Sequence, residues 1–198
     1  MNSPQPKTVK KGEEFAHAQP IANALANSAS FRSWFVAQTQ FFADADCQSM
    51  HQAIKDRRDS EFWWRHLYRV CPCDGCIGGR EVDIFNVFYK EPKDRFAVHI
   101  EVKHAGDDLD LDQAKRYKPR AECWMKKPWK KIPPHSRATT VLLYSKARVD
   151  DWKSLLPHFH EHISFETIWS QHPDLLEATN AIRSLQAEAK ISKANRSL

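Results

Sequence analysis

The sequence predicts an α/β fold in which a mixed central sheet is flanked by helices. Segments 81–89 and 96–104 alternate apolar and polar residues as strands do, and 138–144 is a third, apolar strand candidate. Segments with helical spacing of apolar residues stand before, between and after these strands. With 198 residues, 41% of them apolar, the chain is long enough for one domain. We therefore expect a disordered basic lead over 1–12 and a single domain with a C-terminal helix over 13–198.

Periodicity and helix breakers predict the elements in chain order. Apolar residues recur at helical spacing from about 13 to 43, with Ser28 and Ser30 marking a break. The segment 91–94 contains proline and separates the two alternating strands, which predicts an antiparallel hairpin. An acidic stretch over 107–112 favours the N-terminus of a helix. The remaining candidates are a charged helix or loop at 51–62, a strand at 63–70, a helix at 113–125, a loop at 126–134, and helices at 165–171 and 174–192.

Composition argues against several classes of function. Glycine is scarce, with 5 residues, and no glycine-rich nucleotide-binding pattern is present. The net charge of +5 is compatible with a polyanionic partner. No apolar run approaches the roughly 18 residues that span a bilayer, and the polar N-terminus does not resemble a signal peptide. The five cysteines are odd in number and unlike a secreted disulfide framework, so we expect a cytoplasmic protein without a membrane partner.

Two carboxylates and a lysine on neighbouring strands are the sharpest feature of the sequence. Glu101 and Lys103 project from the same face of one strand, because side chains alternate along a strand, and Asp83 lies on the other strand. Two carboxylates that face each other must share a proton or a cation, and Mg²⁺ prefers oxygen ligands of this kind. The alternative is a cross-strand salt bridge of Lys103 with Glu101 or Asp83 on a solvated face of the sheet.

These residues resemble the PD-(D/E)XK nuclease superfamily, which has the restriction-endonuclease-like fold. Asp83 is followed after 17 residues by Glu101-Val-Lys103 at the end of an apolar strand. Gln113 and Tyr117 follow one helical turn apart, as in the form of the family with a Gln-x-x-x-Tyr helix after the Glu-x-Lys strand. The resemblance covers about 81–170. The proline of the family motif is absent, because Val82 precedes the aspartate.

The resemblance implies a metal-dependent nuclease that hydrolyses phosphodiester bonds, in DNA by preference, through a metal-activated water. Asp83 and Glu101 would bind Mg²⁺ or Mn²⁺, and Lys103 would orient or deprotonate the water. Gln113 and Tyr117 would complete the catalytic set by supporting the site and the nucleic-acid backbone. Many nucleases of this fold act as dimers, so a homodimer is a further expectation.

The family also implies an acidic residue in the first helix. Glu14 is our choice for this catalytic position, because it precedes the helical pattern that follows. Glu13 and Glu61 are rivals, and Glu61 would suit a helix that leads directly into the first strand.

A basic run with interleaved tryptophans follows the Glu-x-Lys strand. Between positions 115 and 137 there are nine basic residues and one acid, Glu122, and such a patch beside a metal site suits a nucleic-acid backbone. The alternative is a solubilising loop with its tryptophans packed underneath. The candidate nucleic-acid contacts are Lys115, Arg116, Lys118, Arg120, Lys126, Lys127, Lys130 and Lys131.

Three cysteines, Cys71, Cys73 and Cys76, stand close together between two predicted strands. With a fourth ligand from Cys123, Cys47 or His66 they could hold Zn²⁺, and an iron–sulfur cluster is the other option. Their spacing matches the usual metal patterns poorly, so reduced cysteines in a tight loop are the simpler interpretation.

Two other functions are compatible with the sequence. The chain could be a catalytically inactive nucleic-acid-binding module that keeps the fold and a charge-paired remnant of the site. It could also be a zinc-stapled interaction domain centred on the cysteine loop.

Overall fold

The first two helices form where apolar spacing predicts them. In a computed structural model that describes residues 12–70 and 79–195, α1 spans Glu13–Asn27 and α2 spans Ala29–Ala37. The predicted break falls at Ser28, whose side chain accepts a hydrogen bond from the N–H of Phe31 and so caps α2. A short 3₁₀ turn over 42–44 follows. The predicted lead over 1–12 lies outside the described residues except for Gly12.

Six strands form one mixed sheet within the described residues, and they span Gln48–Ser49 (β1), Arg65–Val70 (β2), Gly79–Glu91 (β3), Asp94–Lys103 (β4), Arg137–Tyr144 (β5) and Glu161–Ser164 (β6). The order of five strands is β1-β3-β4-β5-β6, and β2 pairs with the same edge of β3 as β1 does. The helix α3, His51–Arg58, connects β1 to β2 and occupies part of the segment predicted as helix or loop.

The predicted hairpin is confirmed. β3 and β4 pair antiparallel around the turn at Pro92 and Lys93, and their ladder runs from the pair Glu91–Asp94 to the pair Ile84–Ile100. β4 then pairs parallel with β5, and β5 pairs parallel with β6. The prediction of a mixed sheet flanked by helices is therefore confirmed.

The crossover from β4 to β5 contains two helices where the sequence predicted one. α4 spans Leu111–Lys115 and α5 spans Tyr117–Lys126. The break at Arg116 follows from Pro119, which has no N–H to donate to the carbonyl of Lys115 but is tolerated in the first turn of a new helix. The acidic start is confirmed, because the side chain of Asp110 accepts the N–H of Gln113 at 2.7 Å.

The C-terminal part adds elements that the sequence did not predict. The helix α6, Val149–Trp152, and the strand β6 are each four residues long, too short to show a period. The helices α7, Phe165–Gln171, and α8, Pro173–Asn195, match the two predicted helices closely. None of the described helices is long and apolar enough to cross a membrane.

Alternation along β4 places apolar residues on one face and the candidate site on the other. Ile100 and Val102 are fully buried on the first face, and Phe96 on that face contacts Phe41 at 4.5 Å between ring centroids. His99 on the second face contacts Trp124 of α5 at 5.1 Å. Both faces are therefore covered, and Glu101 lies on the face that α5 covers.

Candidate active site

Asp83 stands where the strands of the hairpin separate. The β3–β4 ladder has its last pair at Ile84 and Ile100, and β3 then continues to pair with β2 on its other edge. The N–H of Val102 is satisfied by the side chain instead, since it donates to Oδ2 of Asp83 at 2.8 Å. This bond fixes the Asp83 carboxyl beside Glu101, the neighbour of Val102.

The two carboxyl groups are buried together. Asp83 is 6% exposed and Glu101 is 1% exposed. Burial raises the pKa of Asp83 well above its usual range, and the negative charges of Glu101 and Glu14 raise it further. Two buried acids in contact favour a shared proton or a shared cation, because both cannot be ionised there without compensation.

Three donors converge on Glu101. The amide Nε2 of Gln113 donates to Oε1 at 2.5 Å, and the ammonium of Lys103 lies 2.9 Å from the same oxygen. The hydroxyl of Tyr117 donates to Oε2. The two crossover helices thus bring Gln113 and Tyr117 to the carboxylate in spite of the break between them. Glu101 is held in one orientation by partners from the strand and the helices.

Lys103 keeps its charge in this environment. Its side chain is 12% exposed. Burial alone lowers the pKa of an ammonium, but the nearby charges of Glu101, Asp83 and Asp107 raise the pKa of Lys103 overall. A protonated lysine next to the paired acids therefore supplies one positive charge to the site.

Of the three acidic candidates in the N-terminal part, Glu14 is the one that reaches this cluster. Burial raises the pKa of Glu14, and the charge of Glu101 raises it further, whereas Arg65 and Lys103 oppose the shift. Glu13 is exposed and bonds Arg183 at the distance of 2.5 Å, and Glu61 is exposed in the turn before β2. The structure therefore brings Glu14 to the predicted site and leaves its rivals outside.

Arg65 is a member of the site that the sequence did not predict. It is buried at the start of β2, with its guanidinium 4.9 Å from the ring centroid of Phe15, the residue after Glu14. Its charge interacts with Glu14 and Asp83. An arginine within an aromatic strand segment gives no sequence signal that it will lie near Glu14 and Asp83, because this proximity depends on how α1 packs against β2.

The basic run is divided between two ends of the sheet. Lys115, Arg116 and Lys118 lie on α4 and the first turn of α5, next to Tyr117 and the carboxylates. Lys126 ends α5. At 1.5 Å per residue it lies about 14 Å from Tyr117 along the helix axis, because the crossover runs back along the sheet. The loop that carries Lys127, Lys130 and Lys131 leads into the start of β5. That start pairs with the start of β4, at the end of the sheet away from the carboxylates. The predicted single patch beside the site is therefore two separate basic regions.

Arg120 is not a surface contact, contrary to the prediction. It is 3% exposed, with its guanidinium 3.8 Å from the ring centroid of Tyr117, and it donates a hydrogen bond to the carbonyl of Glu81. Burial under α5 follows from helical periodicity, since positions 117, 120, 121 and 124 share the face that packs on the sheet. Arg120 supports the ring that holds Glu101.

The cysteine loop, Cys71, Cys73 and Cys76, lies outside the described residues. Of the suggested fourth ligands, Cys123 is buried on α5. Cys47 is buried just before β1, which pairs with Tyr89 and Phe88, about 30 Å along β3 from Gly79. Cys47 is therefore at the opposite end of β3 from the point where the chain leaves the loop.

The carboxylate pair fits a hard divalent cation. Among residues 12–70 and 79–195, no three His, Cys, Asp or Glu side chains are grouped to hold a metal ion. Mg²⁺ needs fewer protein ligands, since it is normally bound by one or two carboxylates together with water and phosphate oxygens. Asp83 and Glu101 supply such oxygens, and a bound cation would offset the burial and the neighbouring negative charges that raise the pKa of Asp83.

Comparison with known proteins identifies no relative of this chain. No protein-family model matches the chain, and neither a curated protein nor a solved structure is significantly similar to it. The function is therefore argued from the site itself.

Proposed function

We propose that the chain is a metal-dependent nuclease of the PD-(D/E)XK superfamily that hydrolyses phosphodiester bonds, with DNA as the preferred substrate. The observation that carries the proposal is that the buried acids Asp83 and Glu101 lie together, because the N–H of Val102 holds Asp83 beside Glu101, with Lys103 at 2.9 Å from Glu101. A solvated salt bridge would not need two buried carboxyl groups, because burying an acid without a partner costs several kcal/mol.

Asp83 and Glu101 would hold Mg²⁺ or Mn²⁺, which when bound activates a water and stabilises charge on the phosphate. Asp83 must lose its proton for this, so its raised pKa sets the lower limit of pH for metal binding. Gln113 and Tyr117 already hold the carboxylate of Glu101 in one orientation, which limits the reorientation that Glu101 needs for metal binding.

Lys103 acts at the attacking water in this proposal. Its ammonium shares Oε1 of Glu101 with Gln113, and the Lys103 side chain is 12% exposed. From there it orients the water and offsets negative charge on the phosphate. In the described part of the chain, Glu14 is not grouped with Asp83 and Glu101 as a third metal ligand, but its negative charge acts on both acids and supports a role in attracting the metal.

The first basic region supplies contacts for the nucleic-acid backbone near the site. Lys115 is exposed, and Arg116 and Lys118 are partly exposed on the helices that hold Glu101. Lysine and arginine at this position would bind phosphates without reading bases.

A catalytically inactive nucleic-acid-binding module is the second candidate. The observation that favours it is that both oxygens of Glu101 already have donors, so the cluster is satisfied by protein groups. An inactive module would bind DNA equally well with and without a chelator, whereas a nuclease would cut only with the metal.

The test is cleavage of supercoiled plasmid and of labelled single strands with Mg²⁺, Mn²⁺ or EDTA. Wild type is compared with Glu101→Gln and Lys103→Ala, and with Lys153→Ala, an exposed lysine outside the site, as the control. We expect metal-dependent nicking in wild type and Lys153→Ala and its loss in the other two. Absence of cutting by folded wild type on every substrate would reject the nuclease in favour of the binding module.

A further inference from the structure

A surface cavity lies at the turn of the β3–β4 hairpin, far from the carboxylates. Its volume is about 420 Å³, and its lining residues are Pro92, Lys93, Arg95, Pro134, His135 and Ser136. Arg95 and Glu101 are six residues apart on β4, which corresponds to about 20 Å at ~3.3 Å per residue. We refer to this cavity as the hairpin-end cleft.

Arg95 is fixed at the centre of the cleft by one bond of its side chain. Its Nε donates to the carbonyl of Pro92 at 2.9 Å, and its own carbonyl accepts the N–H of Ser136 at 3.1 Å. A second cavity of about 260 Å³, lined by Met50, Tyr89, Pro92 and Arg95, adjoins the same side chain. The terminal guanidinium nitrogens make no hydrogen bond within the described residues. A guanidinium held in this way has donors left in the planar geometry that phosphate oxygens match.

The acids close to the cleft are mostly bound to other cations. Asp94 and Asp44 both pair with Arg137 at 2.7 Å, and Asp46 pairs with Lys90 at 2.9 Å. The exposed Glu91 offsets one further charge. Because Asp44 and Asp94 share the single charge of Arg137, one negative charge is left there, and together with Glu91 it balances Lys93 and Arg95. The net positive charge at this end of the sheet comes from the lysines of the neighbouring loop.

The second basic region continues from the cleft. Lys126, Lys130 and Lys131 are exposed in the segment that leads to Pro134 and Ser136, and the ammonium of Lys131 lies 5.9 Å from the ring of Trp129. The loop is anchored by Arg57, which donates to the carbonyl of Ile132 at 2.9 Å. Its cations are thus held on the same end of the sheet as the cleft.

We propose that the hairpin-end cleft, through Lys93 and Arg95, binds a phosphate of a nucleic-acid backbone about 20 Å from Glu101. The proposal rests on the proposed function for the identity of the polyanion. A duplex strand rises about 3.4 Å per nucleotide, so the two sites are separated by about six nucleotides. The second contact makes affinity depend on the length of the nucleic acid.

The test measures binding of a fluorescent duplex of about 20 base pairs to the full-length chain by anisotropy, with EDTA present and salt varied. The variants are Lys93→Gln, Arg95→Gln and their combination, and Lys190→Gln on α8 is the control that loses one positive charge, as each single variant does. Each phosphate contact contributes about 0.9 to the slope of log affinity against log salt. We expect the affinity of the double variant to be roughly tenfold lower at low salt. The slope of its log affinity against log salt should be smaller in magnitude by about 1 to 2. Lys190→Gln should match wild type.

Equal binding of wild type and the double variant, both folded by circular dichroism, would overturn the proposal. Displacement of the duplex by micromolar AMP would also overturn it, because the cleft would then be a mononucleotide site. If wild type does not nick DNA at all, the nuclease proposal fails while the binding measurement still decides the cleft.

Discussion

The hydroxyl of Tyr117 donates a hydrogen bond to Oε2 of Glu101, although a helix break at Arg116 separates Tyr117 from α4. Gln113 on the other side of the break donates to Oε1 of the same carboxylate. The aromatic ring is buried under Arg120, so its hydroxyl has little freedom to move away. Each oxygen of Glu101 is therefore held by a donor from a different helix, one from α4 and one from α5.

We expect Tyr117→Phe to lower activity without unfolding the protein. The substitution keeps the ring and removes the donor, and loss of a partner that orients a metal-binding carboxylate typically costs about 10- to 100-fold in activity or metal affinity. The measurement is the rate of plasmid nicking against Mg²⁺ concentration. Tyr89→Phe is the control, since the half-buried Tyr89 donates to Gln48 at the hairpin end. An unchanged rate in Tyr117→Phe would show that this hydrogen bond is not needed to aim Glu101.

Asp83→Asn should stabilise the metal-free protein at neutral pH. The pKa of Asp83 is raised in the folded state by burial and by Glu101, so folding binds a proton that the unfolded chain does not hold. The contribution of Asp83 to stability is therefore present at acid pH, and it is lost as the pH rises through the pKa of Asp83 in the folded state. Asn is neutral at every pH and can still accept the N–H of Val102.

The measurement for Asp83→Asn is urea unfolding in EDTA at several pH values. We expect a gain of more than about 1 kcal/mol near neutral pH, which vanishes toward about pH 4. Added Mg²⁺ should stabilise wild type and leave Asp83→Asn unchanged. A variant less stable than wild type in EDTA at neutral pH would contradict the argument.

Glu14→Gln and Glu13→Gln make a matched pair on neighbouring positions of α1. Glu14 interacts with the buried acids, whereas Glu13 is exposed and bonds Arg183. We expect Glu14→Gln to weaken Mn²⁺ binding by about tenfold, measured by calorimetry, because a nearby carboxylate is lost from the site. Glu13→Gln should bind Mn²⁺ as wild type does. Equal binding by both variants would remove Glu14 from the site.

His99→Phe should raise the stability of the fold, most strongly at acid pH. His99 is fully buried between Phe85 and Trp124, and neither ring nitrogen has a hydrogen-bond partner among the described residues. Burial lowers the pKa of His99 well below its usual value. Below about pH 6.5 the unfolded chain takes up a proton that the folded state does not, so wild-type stability falls with pH.

Phe keeps the ring and removes the two unsatisfied nitrogens, which cost about 1–3 kcal/mol when buried. The check is the free energy of unfolding from pH 5 to pH 8, with the exposed His162→Phe as the control. The gain should be larger at pH 5 than at pH 8. A loss of stability in His99→Phe would indicate that the imidazole nitrogens have partners.

The sequence predicted the strands that position the site, because each strand carries its own period. The alternation around Glu101 and Lys103 required both side chains to lie on one face, and the turn at Pro92 required the hairpin that the structure contains. The two four-residue elements, α6 and β6, escaped prediction because four residues cannot show a period.

The sequence by itself therefore determined the α/β class, the hairpin and the face on which Glu101 and Lys103 lie. Only the tertiary structure decided that Asp83 meets Glu101, that Arg65 joins Glu14, and that Arg120 is buried instead of exposed. It also divided one run of basic residues between the two ends of the sheet. The physical reason is range: a period of two or of 3.6 residues fixes the direction of a side chain locally. Which distant side chains come into contact depends on how separate elements pack, and no short stretch of sequence specifies that.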